Sequence, residues 1–469
     1  MATIILPRSI VIKSKTYSEK GNAYFKADGA SVLIGEEDIF STLVKIESEM
    51  ATINEKYVNL RFGYFNRYWQ QQSGDSNFIV AESDQPQEDV TQPSCTLFEP
   101  VKVDDNGAFY LRHVQSGGRV LVDSLTMGFY VDEKGGDDEK AYLTFVDWST
   151  LVKLPPNVSL KGDNGKYLRT NETVLEFESE DRNKQDSSFI VEVQPDGHVE
   201  IGQGQALSTR SYWNVSRFPT HFGLITVNPQ SVALPERYMF WPIKIDETSI
   251  AFRSVFYPHF CCRRVRNIIS GELDNSLSAS ADSITKEAIM EVQESLLSRK
   301  IYNVRYQMEY ARIFNEVPFV AGTTSLSNPN EGVATVQASI TYTDEKSYSF
   351  SRSLSLTGGV SSSIEAGVPF ITSASITVSY EINGTFEWGE TTTTSTSVTA
   401  TGTVPVPGKS TVIVDYVGTR GTCNIPYSYT QQDTSSVDGK IVNTILYDGI
   451  YSGVSYYNFS FSIREIKSL

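Results

Sequence analysis

The sequence predicts an all-β fold in three consecutive parts, and three observations carry that prediction. Aromatic residues are abundant, with 25 Tyr and 24 Phe in 469 residues, and such side chains favour strands. The first two-thirds of the chain repeats itself at an interval of 142 to 144 residues. The last third carries a long run in which apolar and hydroxyl side chains alternate, which is the period of a strand with two unlike faces. The expected organisation is two tandem β-trefoil domains over 1–152 and 153–305, followed by an elongated β-sheet domain over 306–469.

Length and charge bound the function. A chain of 469 residues has room for about three domains at ~150 residues each. The formal net charge of −16 argues against a nucleic acid or a generic anionic lipid surface as partner. The opening Met1 to Arg8 shows no basic stretch leading into an apolar one, so synthesis as a soluble cytoplasmic protein without a signal peptide is expected. Cys95, Cys261, Cys262 and Cys423 are too scattered for a disulfide framework or a paired zinc site, and buried free thiols are expected.

The duplication is read from matched segments. Phe98-Glu99-Pro100-Val101-Lys102-Val103-Asp104 returns as Phe240-Trp241-Pro242-Ile243-Lys244-Ile245-Asp246, and Arg67-Tyr68-Trp69 returns as Ser211-Tyr212-Trp213. Within each copy, aromatic strand starts fall at Tyr24, Tyr68 and Tyr110, and then at Tyr167, Tyr212 and Phe252. The spacings are 44 and 42 residues, then 45 and 40. Turn sequences such as Asp104-Asp105-Asn106-Gly107 break each unit into hairpins. Three hairpin-rich units that cannot bury a face alone would close around a pseudo-threefold axis, as a β-trefoil. Residues 283–297 read either as helix, with Ile284, Ala288 and Val292 at helical spacing, or as strand, with Ala288, Met290 and Val292 alternating; the duplication favours strand.

The segment Phe78 to Asp84, with Glu88-Asp89 and Ser94-Cys95-Thr96-Leu97-Phe98-Glu99-Pro100, resembles the amaranthin-type plant agglutinin domains over roughly residues 1–305. That resemblance implies paired trefoils that recognise galactose- or N-acetylgalactosamine-type glycans in shallow loops. The second copy departs from the pattern at Tyr238-Met239-Phe240-Trp241-Pro242. Candidate sugar contacts are Asn66, Arg67, Tyr68, Trp69 and Gln70 in the first copy and Tyr212, Trp213 and Asn214 in the second. An indole face can stack on a pyranose while amides bond its hydroxyls, although Tyr68 and Trp69 also fit a plain strand core.

In the last third, residues 346–402 hold 24 Ser or Thr in 57 positions and only six charged side chains. Even positions are apolar at Tyr348, Phe350, Leu354, Leu356, Val360, Ile364, Val368 and Phe370, and the odd partners are mostly Ser or Thr. The same parity continues through Ile376, Val378, Tyr380, Ile382, Phe386 and Trp388 after an expected tip near Gly367 to Ile371, with Arg352 as the exception. Two strands of ~18 residues would reach ~60 Å, beyond the 9–11 residues a tilted strand needs to cross a bilayer. An ordinary β-sandwich alternates too.

The order of Ala311-Arg312-Ile313-Phe314-Asn315, the Ser/Thr hairpin, Phe386-Glu387-Trp388-Gly389, Val404-Pro405-Val406-Pro407-Gly408 and Ser428 to Asp433 resembles the aerolysin-type module of plant agglutinin fusions over about 306–469. The resemblance implies a soluble precursor that binds a glycosylated surface, assembles as a homo-oligomer and extends its inner hairpin into a membrane β-barrel, as plant defence proteins do. The membrane hairpin would span about 346–390, with Leu354, Leu356, Val360, Ile364, Val368, Phe370, Ile376, Val378 and Tyr380 toward lipid. Glu365, Glu381 and Glu387 would line the lumen. The alternative is a multivalent lectin whose last domain only mediates oligomerisation.

No catalytic constellation emerges. Pro407-Gly408-Lys409-Ser410-Thr411 lacks the spacing of a phosphate-binding loop, and the four histidines stand alone. Neither enzymatic activity, a cofactor nor a metal is expected.

Overall fold

The computed structural model describes residues 3–17, 23–74, 76–134, 139–203, 211–216, 223–229, 234–264, 275–353, 356, 360–373 and 375–469, without the side chains of Ser379 and Tyr380. The chain is all-β, and its described helical turns are short 3₁₀ segments. Contacts divide it into two compact units: 1–299 with 353–361 and 432–443, and 300–352 with 362–431 and 444–469.

The first unit holds two sheets of twelve strands each, four strands per repeat. Each sheet closes by pairing its first strand with its last. Ser9–Ser14 pairs with Leu143–Asp147, from Ile10 opposite Asp147 to Ser14 opposite Leu143. Asn157–Lys161 likewise pairs with Met290–Glu294, so the ambiguous 283–297 region contributes a strand after a short 3₁₀ turn at Lys286–Ala288. Two separate apolar cores result, one built on Ile10, Phe25, Phe62, Trp69, Phe98 and Phe129, the other on Val158, Phe177, Phe189, Trp213, Phe240 and Phe252. These are the features of paired β-trefoils. The two trefoils also touch: the Ile39 N–H and the Tyr24 hydroxyl both donate to the Pro195 carbonyl, at 2.9 and 3.2 Å.

Turn chemistry is duplicated with the strands. The Asp104 carboxylate accepts from the Asn106 and Ala108 N–H groups at 2.9 and 3.0 Å, and Gly107 takes the positive φ of 86° that closes the turn. At the matching place in the second copy, Asp246 accepts from Thr248 and Ser249, both at 2.8 Å. Side chains that cap their own turn in this way register the flanking strands.

The second unit is built on an eight-stranded sheet. Ala334–Ser351 and Thr392–Val406 pair over fifteen residues without a slip, from Ala334 opposite Val406 to Tyr348 opposite Thr392. One face of this ribbon puts Val336, Ala338, Val404 and Val406 against Leu326, Val412, Val414 and Phe461. The other face is predominantly Ser and Thr, with Gln337, Glu345 and Pro405 among them, and is mostly exposed. Gly402 is required where Phe461 crosses the ribbon, because a Cβ there would lie 2.6 Å from the ring.

Between the two ribbon strands the chain forms a shorter hairpin, Ser362–Thr372 with Ser375–Phe386. This corrects the expected 346–390 hairpin in three ways. The arms have 11 and 12 residues, not ~18, because the strand that begins at Ala334 ends at Ser351. The tip falls between Thr372 and Ser375 rather than near Gly367 to Ile371. A bulge between Val368 and Pro369 leaves Ser379 as the extra residue, so the even parity breaks: Val368 faces Tyr380, but Pro369 faces Val378 and Phe370 faces Thr377.

Candidate glycan-binding region and stored hairpin

The expected sugar platform of the first trefoil is largely interior. Trp69 is 0% exposed and lies 5.4, 6.4 and 5.9 Å from the rings of Phe62, Phe98 and Phe129. Trp213 repeats the arrangement against Phe189, Phe240 and Phe252, at 5.5, 5.9 and 5.8 Å. Neither indole offers a face on which a sugar could stack, contrary to the expectation for both. Strand alternation places both in the core, which is stabilised far more by burying such a ring than by exposing it.

Tyr68 is equally buried, and its hydroxyl donates to Glu49 at 2.6 Å. The same Glu49 takes Nε of Arg61 at 2.8 Å, and Arg61 donates on to the Asn66 side-chain oxygen at 2.8 Å. Asn66 sits at φ 50°, a left-handed position that its own side chain helps to tolerate. These residues form a structural network under the strand rather than a ligand surface. Tyr212 points its hydroxyl at Glu192, 3.2 Å away, and Asn214 is buried. Of the eight candidates, Arg67 and Gln70 reach the surface, and Arg67 pairs with the exposed Asp84 at 2.9 Å.

Glu88 has a role that sequence reading missed. Its carboxylate accepts from the backbone N–H of Thr52 and Ile53, at 2.9 and 3.2 Å, from the Thr52 hydroxyl and from the Asn59 amide at 2.9 Å. The loop that follows Asp84 is thereby tied to the turn at 51–57. Its signal was the Glu88-Asp89 pair in the agglutinin-like segment, whose function there is to hold loop shape.

In the second unit, the hairpin packs Ile364, Ala366, Val368, Phe370 and Ile371 into an aromatic core with Tyr348, Phe350, Tyr427, Tyr429 and Tyr451. Side chains from neighbouring strands bind its backbone: Tyr306 and Tyr451 donate to the carbonyls of Gly367 and Pro369, and the Ile371 N–H reaches Ser455 at 3.2 Å. Burial also holds the Tyr306 phenol well above its ordinary pKa.

Glu365 and Glu381 are exposed on one face, opposite Asn383 and Gly367, and Glu365 pairs with Lys300 at 3.4 Å. Glu387 lies exposed beyond the strand end. Val378 is 46% exposed, on the same face as the two glutamates, and Ile376 is half-buried. Leu356 is not in the hairpin at all: it is buried in the core of the second trefoil. Val360 is half-buried outside any strand, while Leu354 and the side chain of Tyr380 lie outside the described residues. Arg352, the parity exception, stacks on the Trp388 ring at 4.4 Å and donates to Gln431 at 3.1 Å, which holds its guanidinium just beyond the end of the ribbon strand.

Residues 10–129 match the agglutinin domain family. No curated protein matches the chain. Among solved structures, the chain is similar to the hemolytic lectin CEL-III at 11% identity and a TM-score of 0.31, over 96% of this chain and 93% of that one. It is similar to a lamprey immune protein at 16% identity and a TM-score of 0.31, over 77% and 87%. An aerolysin-like protein of Bombina maxima is similar at 12% identity and a TM-score of 0.26, over 36% and 99%. The segment whose core is organised around Trp69 is thus similar to agglutinin domains.

Proposed function

We propose that this protein binds glycans through its agglutinin part and then forms an oligomeric transmembrane β-barrel from its Ser/Thr-rich segment. The observation that carries the reading is a conflict of register. In the ribbon, Tyr348 lies opposite Thr392, whereas the hairpin beyond it pairs Phe386 with Ser362. If the ribbon register is carried on instead, Leu354 meets Phe386, Val360 meets Tyr380 and Ile364 meets Ile376, with the tip at Phe370.

In that register the bulge disappears and every even residue returns to one face, with Glu365, Glu381 and Glu387 on the other. Residues 349–369 would then add ~70 Å of strand at ~3.3 Å per residue, more than a bilayer requires. A hairpin can cross lipid only if its backbone groups are all paired, so several copies must close a barrel. The apolar face meets acyl chains, and the hydroxyl face lines water.

Dye release from liposomes bearing galactose- or N-acetylgalactosamine-terminated glycans tests the reading. Agglutination without release would favour the lectin whose last domain only oligomerises. Val378→Asp is the sharpest variant, since the side chain is exposed in the soluble fold yet lipid-facing in the extended register. It should leave the melting curve unchanged and abolish release, because a charge on the lipid face is destabilising near mid-membrane and recurs in every subunit of the barrel. Thr377→Asp should retain pores. Glu381→Gln should shift the reversal potential modestly, since lumen carboxylates are screened within about 8–10 Å. For the glycan, Arg67 and Gln70 are the accessible candidates, and Arg67→Ala should weaken array binding while the fold stays intact.

A further inference from the structure

We infer that the second trefoil locks the pore segment through Leu356, with Arg299 clasping a second segment beside it; this rests on the pore-forming reading. Residues 353–361 and 432–443 belong to the compact unit of the trefoils, although the strands that flank them belong to the other unit. Leu356 is 1% exposed within the apolar cluster of Trp213, Phe240 and Phe252, whose other buried members all come from residues 152–292. A trefoil that closes its own strands has thus left room for a side chain from far along the chain.

The anchorage is polar as well. The Ser361 carbonyl accepts the Arg299 N–H at 3.2 Å. The Arg299 guanidinium holds Glu294 at 2.9 and 2.6 Å and Asp433 at 2.7 and 2.9 Å, two paired grips by one side chain. Arg299 and Glu294 are each 2% exposed, so this charge cluster is shielded from solvent and its geometry is tightly specified. The Ser436 N–H adds a bond to the Ser295 carbonyl at 3.0 Å.

The stored and extended states exclude each other at Leu356. Carrying the ribbon register through this stretch places Leu356 opposite Gly384 on the apolar face, which it can reach only by leaving the trefoil core. In water that departure exposes a leucine and empties its seat, and both changes are unfavourable. Beside a bilayer the leucine exchanges one apolar environment for another. The lock therefore opens most readily where lipid is at hand, which keeps the hairpin from extending in solution.

The experiment uses the full chain and the variants Leu356→Ala, Leu356→Met and Asp433→Asn. Hydrogen exchange of peptides covering 353–361, without membrane, reads the lock itself; dye release from glycan-bearing liposomes reads its consequence. Leu356→Ala should raise both the exchange rate and the release rate at least about tenfold, in line with the usual cost of truncating a core leucine. Leu356→Met should stay near wild type, and Asp433→Asn should move both rates in the same direction by less. Unchanged exchange in Leu356→Ala, or faster exchange with an unchanged release rate, would overturn the proposal. If Leu356→Ala unfolds the second trefoil, Asp433→Asn decides by the same two readings. If no chain, wild type included, releases dye, the pore-forming reading fails, while the exchange arm still reports whether Leu356 holds the segment.

Discussion

The two trefoils share an interior and differ where they meet the rest of the molecule. Trp69 and Trp213 each sit among three phenylalanines at nearly the same distances, and Asp104 and Asp246 cap equivalent turns. At the surface the copies part. Glu99 in the first pairs with Arg112 across the strand, and its counterpart Trp241 in the second lies opposite Arg253. Only the second core admits Leu356. Duplication thus preserved what closes a trefoil and released the outward positions to serve different contacts, because packing constrains every buried volume and solvent constrains little.

The largest expected effect tests the shared interior. Trp69→Ala and Trp213→Ala should each destabilise their own trefoil by about 3–5 kcal/mol, measured by denaturant titration. The comparison breaks if Trp69→Ala melts like wild type yet loses glycan binding, since that would return the indole to the surface.

A smaller effect belongs to the second copy. The Arg263 guanidinium grips Asp163 at 2.6 and 2.7 Å and holds its carboxyl below the usual carboxylate range. A carboxyl depressed in the folded state contributes stability that is complete above its unfolded value of about 3.9 and is lost as pH falls through the folded one. Asp163→Asn should therefore be most costly near pH 7 and progressively less costly as pH falls below about 4, by chemical melts across that range. A cost that persists undiminished in acid would mean the loss is steric.

In the first copy, Glu99→Gln should change stability by less than about 1 kcal/mol, because Arg112 is substantially exposed and water screens the pair. A larger loss would show that this pair, and not only the core, holds the first trefoil. The smallest response is expected from the thiols. All four cysteines are buried, and burial pushes the Cys423 thiol up to about 12 and the Cys261 thiol well above its ordinary value. A thiol reagent should label almost none in the native protein and four after denaturation.

Much of the fold was legible because it is periodic. The aromatic spacing near 43 residues and the 142-residue offset are sums of many small local preferences, and each hairpin, turn and core position agrees with them. The site was far less legible. Tyr68-Trp69 reads equally well as a sugar platform or a strand core, since alternation specifies that one of two neighbours points inward but not what covers the other. Here both are covered, the tryptophan by phenylalanines and the tyrosine through Glu49.

The Ser/Thr segment shows the division most plainly. Its even and odd faces follow from the sequence alone, because side chains alternate along any extended strand and the residue types alternate with them. Tertiary structure decided which register that strand adopts. Phe386 lies opposite Ser362, a bulge reverses the face of Val378, and Leu356 sits in the core of the second trefoil, whose other buried members end at Val292. Register depends on competing partners spread over the whole chain. An alternating sequence satisfies several such pairings about equally, and the choice falls to whichever core can bury the apolar face.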